Sequence, residues 1–164
     1  IMIISSIIFF HLSPILIIGN FYKHLKIFLL KNFFLLIFLS VCLIYFFTYQ
    51  INYTGGGVFF ILSNLIFNNN YLFYMGSFFF VSFVLYIASL SLNNFFLIIL
   101  LIISNVQNSI YHKYYEPLIL IMFFTLIKCP EMKIFFKKKN NILYLYFLSL
   151  IYILMRVFKI NYLV

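Results

Sequence analysis

Charged residues are scarce in this sequence, and acidic ones are almost absent. Of its 164 residues, 8% are charged and 66% are hydrophobic, and the mean hydropathy is +1.17. An average soluble domain carries roughly 25% charged residues to cover its surface. No water-soluble fold can bury this much Phe, Ile and Leu. We therefore expect a multi-pass integral membrane protein of the bacterial inner (cytoplasmic) membrane, with the lipid bilayer as its solvent.

The two acidic residues, Glu116 and Glu131, lie on opposite sides of an apolar run. A paired-carboxylate mechanism or a carboxylate metal site would have to use both, and their separation disfavours this. The two cysteines, Cys42 and Cys129, stand singly and lack the spacing of metal ligands. The sequence therefore predicts no metal site and gives no indication of a cofactor.

The formal net charge of +9 does not indicate nucleic-acid binding. The cations gather in short segments between apolar runs, as topology signals do, and are not spread over one face. The chain opens directly in an apolar run and lacks the basic segment and the small-residue cleavage site of a signal peptide. We interpret residues 1–164 as a single transmembrane helical region, cut from a longer membrane protein.

The apolar runs predict an all-α fold, a polytopic transmembrane helical bundle. A helix needs about 20 residues to cross roughly 30 Å of hydrocarbon. Residues 58–69 are too short for this, and their polar residues recur at helical spacing, which indicates an interfacial or re-entrant helix. About six runs are predicted to cross, at residues 1–19, 33–49, 71–92, 95–107, 114–128 and 142–158.

The distribution of cations predicts which loops face the cytoplasm. Residues 20–32 and 128–141 hold eight of the eleven Lys and Arg residues, and cytoplasmic loops are enriched in these residues. Both segments fall on one side only if 58–69 does not cross. This topology places residues 108–113 on the outer face.

The stretch "QNSIYHKYYEPLILI" at 107–121 crowds basic, acidic and aromatic residues before a proline. One interpretation is an interfacial tyrosine belt with a snorkelling lysine, in which Pro117 begins a helix. The other is a phosphate site, because a basic pair at an outer helix start attracts an anion through charge and unpaired backbone N–H groups. The candidate substrate-binding residues are His112, Lys113, Tyr114 and Glu116.

The segment "HKYYEPLILIMFF" resembles the box that opens a late span in polytopic GT-C-type glycosyltransferases, often Arg-Tyr-x-x-Pro followed by apolar residues. Lys113, Tyr114 and Pro117 match it, with Lys113 in place of the usual Arg. The resemblance implies a polyprenyl-phosphate-linked sugar donor, whose phosphate meets the basic residue. Such families carry catalytic acids in an early outer loop, and no residue here can fill that role. The resemblance therefore implies a carboxyl-terminal region whose catalytic residues are unknown.

Two other classes of function stay open at the level of the sequence. The chain could be a polytopic transporter or channel subunit, although its mid-span polar residues are few, chiefly His11 and several Ser. It could also be a structural membrane subunit of a respiratory complex encoded in an A+T-rich organelle, a genome type that fits the bias toward Phe, Ile, Asn, Lys and Tyr. Whether the chain is an enzyme is therefore open.

Overall fold

The fold is all-helical. The structure, a computed structural model, describes residues 1–17, 19–49, 56–104 and 112–162, and no β-strand occurs among them. A 3-10 segment, Ser13–Ile17, follows α1, and a π-helical segment, Met122–Leu126, follows α7. The α-helices of the described residues are α1 Met2–Leu12, α2 Gly19–Lys31, α3 Phe33–Tyr45, α4 Gly57–Phe67, α5 Tyr71–Ser89, α6 Leu92–Ile103, α7 His112–Ile121, α8 Pro130–Lys137 and α9 Lys139–Tyr162.

The helices are shorter than six full membrane crossings require. By length and composition, α5 is the one described helix able to cross a membrane, and the number is two if α2 and α3 count as one bent span. The predicted spans 33–49 and 95–107 overlap α3 and α6, which have 13 and 12 residues and extend roughly 18–20 Å at 1.5 Å per residue. The predicted span 142–158 lies inside α9, which has 24 residues.

The core is built around α1 and α5. α1 is apolar on all sides and almost entirely buried, as expected of a helix surrounded by others. It packs against α4, α5 and α7, while α5 also contacts α2, α3 and α6. Aromatic rings fill the space between α4 and α5: the ring centroid of Phe73 lies 5.2 Å from that of Phe60 and 5.5 Å from that of Phe47.

The lysine-rich segment 20–32 is a helix and not a loop, contrary to our interpretation of it. Within α2, Phe21 and Leu25 are four residues apart and buried, whereas Lys23 and Lys26 are exposed. This spacing gives the helix one apolar face and one basic face. α2 is bent by 82° from α3, and its Phe21 packs against Phe83 and Tyr86 in the second half of α5. That arrangement suits a helix in the membrane interface.

The predicted short helix at 58–69 is present as α4, but its polar side chains do not form a water-facing side. Ser63 is fully buried; its hydroxyl donates to the carbonyl of Asn69 at 2.8 Å and accepts from the N–H of Phe73 at 3.2 Å. Asn64 Nδ2 donates to Asn70 Oδ1 at 2.8 Å. The side chains of Ser63 and Asn64 therefore form hydrogen bonds with the turn between α4 and α5. This role explains their helical spacing and does not require α4 to lie in the membrane interface.

We predict that Phe73→Ala destabilises the fold far more than Phe34→Ala. Phe73 is 0% exposed and packs against other aromatic rings. Removing its ring leaves a cavity in the core, which costs about 3 kcal/mol. Phe34 is 86% exposed, so the same change there removes little packing. Unfolding by a denaturing detergent, followed by circular dichroism, gives both free energies of unfolding. Equal losses for the two variants would contradict the packing described here.

Candidate functional site

The predicted donor-binding residues fall in the first turns of α7. His112, Lys113, Tyr114 and Glu116 have helical backbone there, and their side chains lie outside the described part of the structure. Their neighbour Tyr115 is buried in the hydrophobic core. The start of α7 is therefore fixed to the bundle by a large aromatic side chain.

Pro117 does not begin this helix, contrary to the prediction. The helix begins at His112, and Pro117 is its sixth residue. A proline there has no N–H to donate to the carbonyl four residues earlier, which is that of Lys113. The first turn of α7 is thus weakened in backbone hydrogen bonding, and the packing of Tyr115 helps to hold it in place.

A second group of polar residues, which we call the basic-end cluster, comprises His24, Asn94, Lys128, Cys129 and Glu131. Its centre is the carboxyl group of Glu131, which is 7% exposed. The Cys129 thiol donates to Oε2 at a distance of 3.3 Å, and Oε1 lies 3.4 Å from Nδ1 of His24. A buried carboxylate requires such partners, because desolvation of an unpaired charge costs several kcal/mol.

The local sequence explains why Glu131 lies at this point. Cys129 is the N-cap of α8 with extended backbone, Pro130 is the first helical residue, and Glu131 lies in the first turn. Proline is favoured at the first position because its fixed φ suits a helix start. A carboxylate in the first turn is stabilised by the helix dipole. This short pattern orients Glu131 toward α2.

Asn94 fixes the adjoining segments through its side-chain amide. It is fully buried at the start of α6, where Ser91 caps the helix by accepting from the Asn94 N–H at 3.2 Å. Its Nδ2 donates to the carbonyl oxygens of Ile87 and Lys128, both at 3.1 Å, and its Oδ1 accepts from the N–H of Lys128 at 2.9 Å. The end of α5, the start of α6 and the segment after α7 therefore meet at one residue.

These contacts bring the two lysine-rich segments to the same end of the molecule. His24 belongs to the first segment and Glu131 to the second, 107 residues apart. The chain from the start of α7 at His112 to Lys128 is helical for most of its length, so the start of α7 lies roughly 20 Å from that end along the helix axis. The basic-end cluster and the start of α7 are thus at opposite ends.

The side chains of the basic-end cluster are arranged to hold segments of the fold together, and not to carry out a reaction. The carboxylate of Glu131 accepts a hydrogen bond from the Cys129 thiol, and a neighbouring negative charge does not favour the thiolate that a nucleophile requires. Among the described residues, no group of three or more His, Cys, Asp or Glu side chains is arranged to hold a metal ion. The phenol of Tyr86 lies within electrostatic range of Glu131 and Cys129, and its ring packs against Phe21 at 5.2 Å between centroids.

Comparison with known proteins assigns neither group of residues a role, because no family model, curated protein or solved structure matches this chain.

Sequence reasoning found the start of α7 but missed the basic-end cluster. The pattern of an acid after a proline at 130–131 signals a helix start and could have drawn attention to Glu131. Its partner His24 is too distant in sequence to be found from spacing.

We predict that Asn94→Ala lowers the free energy of unfolding by about 1–3 kcal/mol, because it removes the acceptor of the Lys128 N–H and one donor from each of the carbonyls of Ile87 and Lys128. The matched control is Asn93→Ala, at the exposed neighbouring position, for which we expect little change. Both are measured by detergent unfolding of the protein in lipid–detergent micelles. Loss of equal size at positions 93 and 94 would show that the amide of Asn94 has no connecting role.

Proposed function

We propose that this chain is a membrane-embedded, multi-pass helical region, with the lipid bilayer as the solvent of its outer surface. The exposed side of α3 supports this: Phe34, Phe38 and Val41 point outward and are mostly uncovered, whereas Leu36 and Ser40 are buried. A soluble monomer rarely exposes such a contiguous apolar surface. In lipid the same surface carries no cost, because hydrocarbon solvates it.

We further propose that the basic end faces the cytoplasm and the start of α7 faces the outer side. The meeting of the two lysine-rich segments at one end is the observation that carries this proposal, since cations accumulate on the cytoplasmic side. The helical chain between that end and His112 extends roughly 20 Å, about two thirds of a hydrocarbon layer of roughly 30 Å. The topology requires α4 to enter and leave the membrane on one side.

At this outer end, His112 and Lys113 are proposed to bind the phosphate of a polyprenyl-phosphate-linked sugar donor, as the resemblance to GT-C-type glycosyltransferases implies. The backbone N–H groups of the first turn of α7 have no helical acceptor and can contribute. Glu116 would orient Lys113 by pairing with it, and Tyr114 would supply an interfacial ring. On this proposal the catalytic acids belong to a part of the protein outside residues 1–164.

A polar pathway of the kind that a transporter needs receives less support from the buried hydroxyl groups. Ser6, Ser40 and Ser77 donate to carbonyls three or four residues earlier in their own helices, at 2.7, 2.8 and 2.6 Å. The exposed Ser89 does the same at 2.7 Å. Hydroxyl groups used in this way are satisfied within one helix and offer little to a passing ion.

We predict that Lys23 and Lys138 face the same compartment and that Lys113 faces the other. Each is changed to Cys, one at a time, in a background with Cys42→Ser and Cys129→Ser. Labelling of intact and opened cells with a membrane-impermeant maleimide then reports the side of each position. Labelling of positions 23 and 138 from opposite sides would overturn the topology.

We predict that Lys113→Ala weakens donor binding roughly tenfold to a hundredfold, the effect of losing one charge-assisted hydrogen bond. Lys113→Arg should be tolerated, and Glu116→Gln should reduce binding less than Lys113→Ala. The measurements are sugar transfer and donor binding by the complete membrane protein that contains this chain, at equal abundance in the membrane. Full activity and affinity in Lys113→Ala would leave an interfacial anchor as the role of this segment.

A further inference from the structure

A cavity of about 180 Å³ lies between α1, α2 and α5. Phe9, Leu25 and Phe83 form part of its apolar wall, and Lys26 and Tyr22 of α2 also line it. A dry apolar cavity of about 150 Å³ accepts a molecule the size of benzene, so this one has room for a hydrocarbon segment of roughly six carbons. Its lining is apolar apart from these two residues and one hydroxyl group.

That hydroxyl group belongs to Ser82, which behaves differently from the serines described above. Ser82 is 1% exposed, lines the cavity and, among the described residues, has a buried Oγ without a hydrogen-bond partner. Its neighbours on α5, Ser77 and Ser89, both donate to carbonyls of their own helix. A buried hydroxyl without a partner costs free energy, and an acceptor inside the cavity would remove that cost.

The position of Lys26 indicates the charge of the occupant. Lys26 is exposed beside Lys23 on the basic side of α2, at the end of the molecule where the lysine-rich segments meet. α2 and the adjoining segment Ser13–Ile17 contain no acidic residue to pair with it. A basic residue beside an apolar cavity at a membrane surface is suited to the phosphate of an anionic lipid.

We propose that this cavity binds one acyl chain of an anionic phospholipid from the leaflet at the basic end. The lipid phosphate pairs with Lys26, the first carbons of the chain occupy the apolar cavity, and the Ser82 hydroxyl donates to the ester carbonyl that joins headgroup and chain. This inference rests on the membrane location in the proposed function and is independent of sugar transfer. The site is at the opposite end from Lys113, so it is distinct from the proposed donor site.

The test measures lipid binding by the purified protein in micelles of a zwitterionic detergent. The probes are phosphatidylglycerol, phosphatidylcholine with the same chains, the ether-linked analogue of phosphatidylglycerol, and glycerol phosphate without chains. Retention of each lipid is read by native mass spectrometry, and thermal unfolding gives a second readout. A salt concentration near 1 M screens diffuse attraction between exposed charges, so the difference that remains belongs to the site.

For the wild-type protein we expect one retained phosphatidylglycerol, weaker retention of phosphatidylcholine, and no effect of glycerol phosphate. Lys26→Gln should weaken phosphatidylglycerol binding roughly fivefold, while its control Lys23→Gln, on the same helix but outside the cavity, should not. Ser82→Ala should weaken binding of the ester-linked lipid roughly threefold to tenfold. It should bind the ether-linked lipid as the wild type does, and Ser77→Ala should bind both lipids as the wild type does.

Three outcomes would overturn the proposal. Equal weakening by Lys26→Gln and Lys23→Gln would mean that phosphatidylglycerol is attracted by the basic surface as a whole. Equal binding of ester-linked and ether-linked lipid by the wild type would remove the contact with Ser82. Stabilisation by glycerol phosphate alone would identify a site for a free phosphate and contradict the assignment to a lipid. Since none of these readouts involves sugar transfer, their result is separate from the fate of the proposed donor site.

Discussion

The side-chain amide of Asn94 connects the segments that meet at the basic end of the molecule. Its two donors and its acceptor engage Ile87 at the end of α5 and Lys128 after α7. The loss of a hydrogen bond to a partly or fully buried backbone group costs about 1–3 kcal/mol. The antiparallel arrangement of α6 and the α7 segment follows from this connection, because the start of one is joined to the end of the other.

The buried carboxyl group of Glu131 extends the same connection to α2. With His24 at one oxygen and Cys129 at the other, it joins the first basic segment to the second. The side chains of Lys23, Lys26 and Lys31 on α2 are exposed, where solvent can reach their charges. Apolar packing therefore builds the bundle around α1 and α5, while a few buried polar side chains determine which ends of the helices lie together.

The helical fold class was predictable because apolar runs of this length leave few alternatives in lipid. The helix boundaries were less predictable, and each boundary that was predicted wrongly has a physical reason. Segment 20–32 looked like a loop because of its lysines, yet Phe21 and Leu25 give it a buried face. Pro117 looked like a helix start, but Tyr115 holds the helix one turn earlier.

The two candidate sites also differ in how well the sequence alone predicts them. The start of α7 stands out in the sequence because its charged and aromatic residues are contiguous. The basic-end cluster could not be inferred, since His24 and Glu131 are 107 residues apart and Asn94 is 34 residues from Lys128. Only the three-dimensional contacts of Asn94 reveal it as a buried connector.

The central claim, that the two lysine-rich segments meet at one end, is tested most directly by thiol cross-linking in native membranes. In a Cys42→Ser background, His24→Cys is paired with the native Cys129, which approaches the same carboxylate. The control pairs Cys129 with Asn68→Cys, which precedes the far end of α5, a helix of 19 residues that extends roughly 28 Å. A short bismaleimide should join positions 24 and 129 rapidly within one chain and leave the control uncoupled. Cross-linking of both pairs at similar rates, or of neither, would contradict the account.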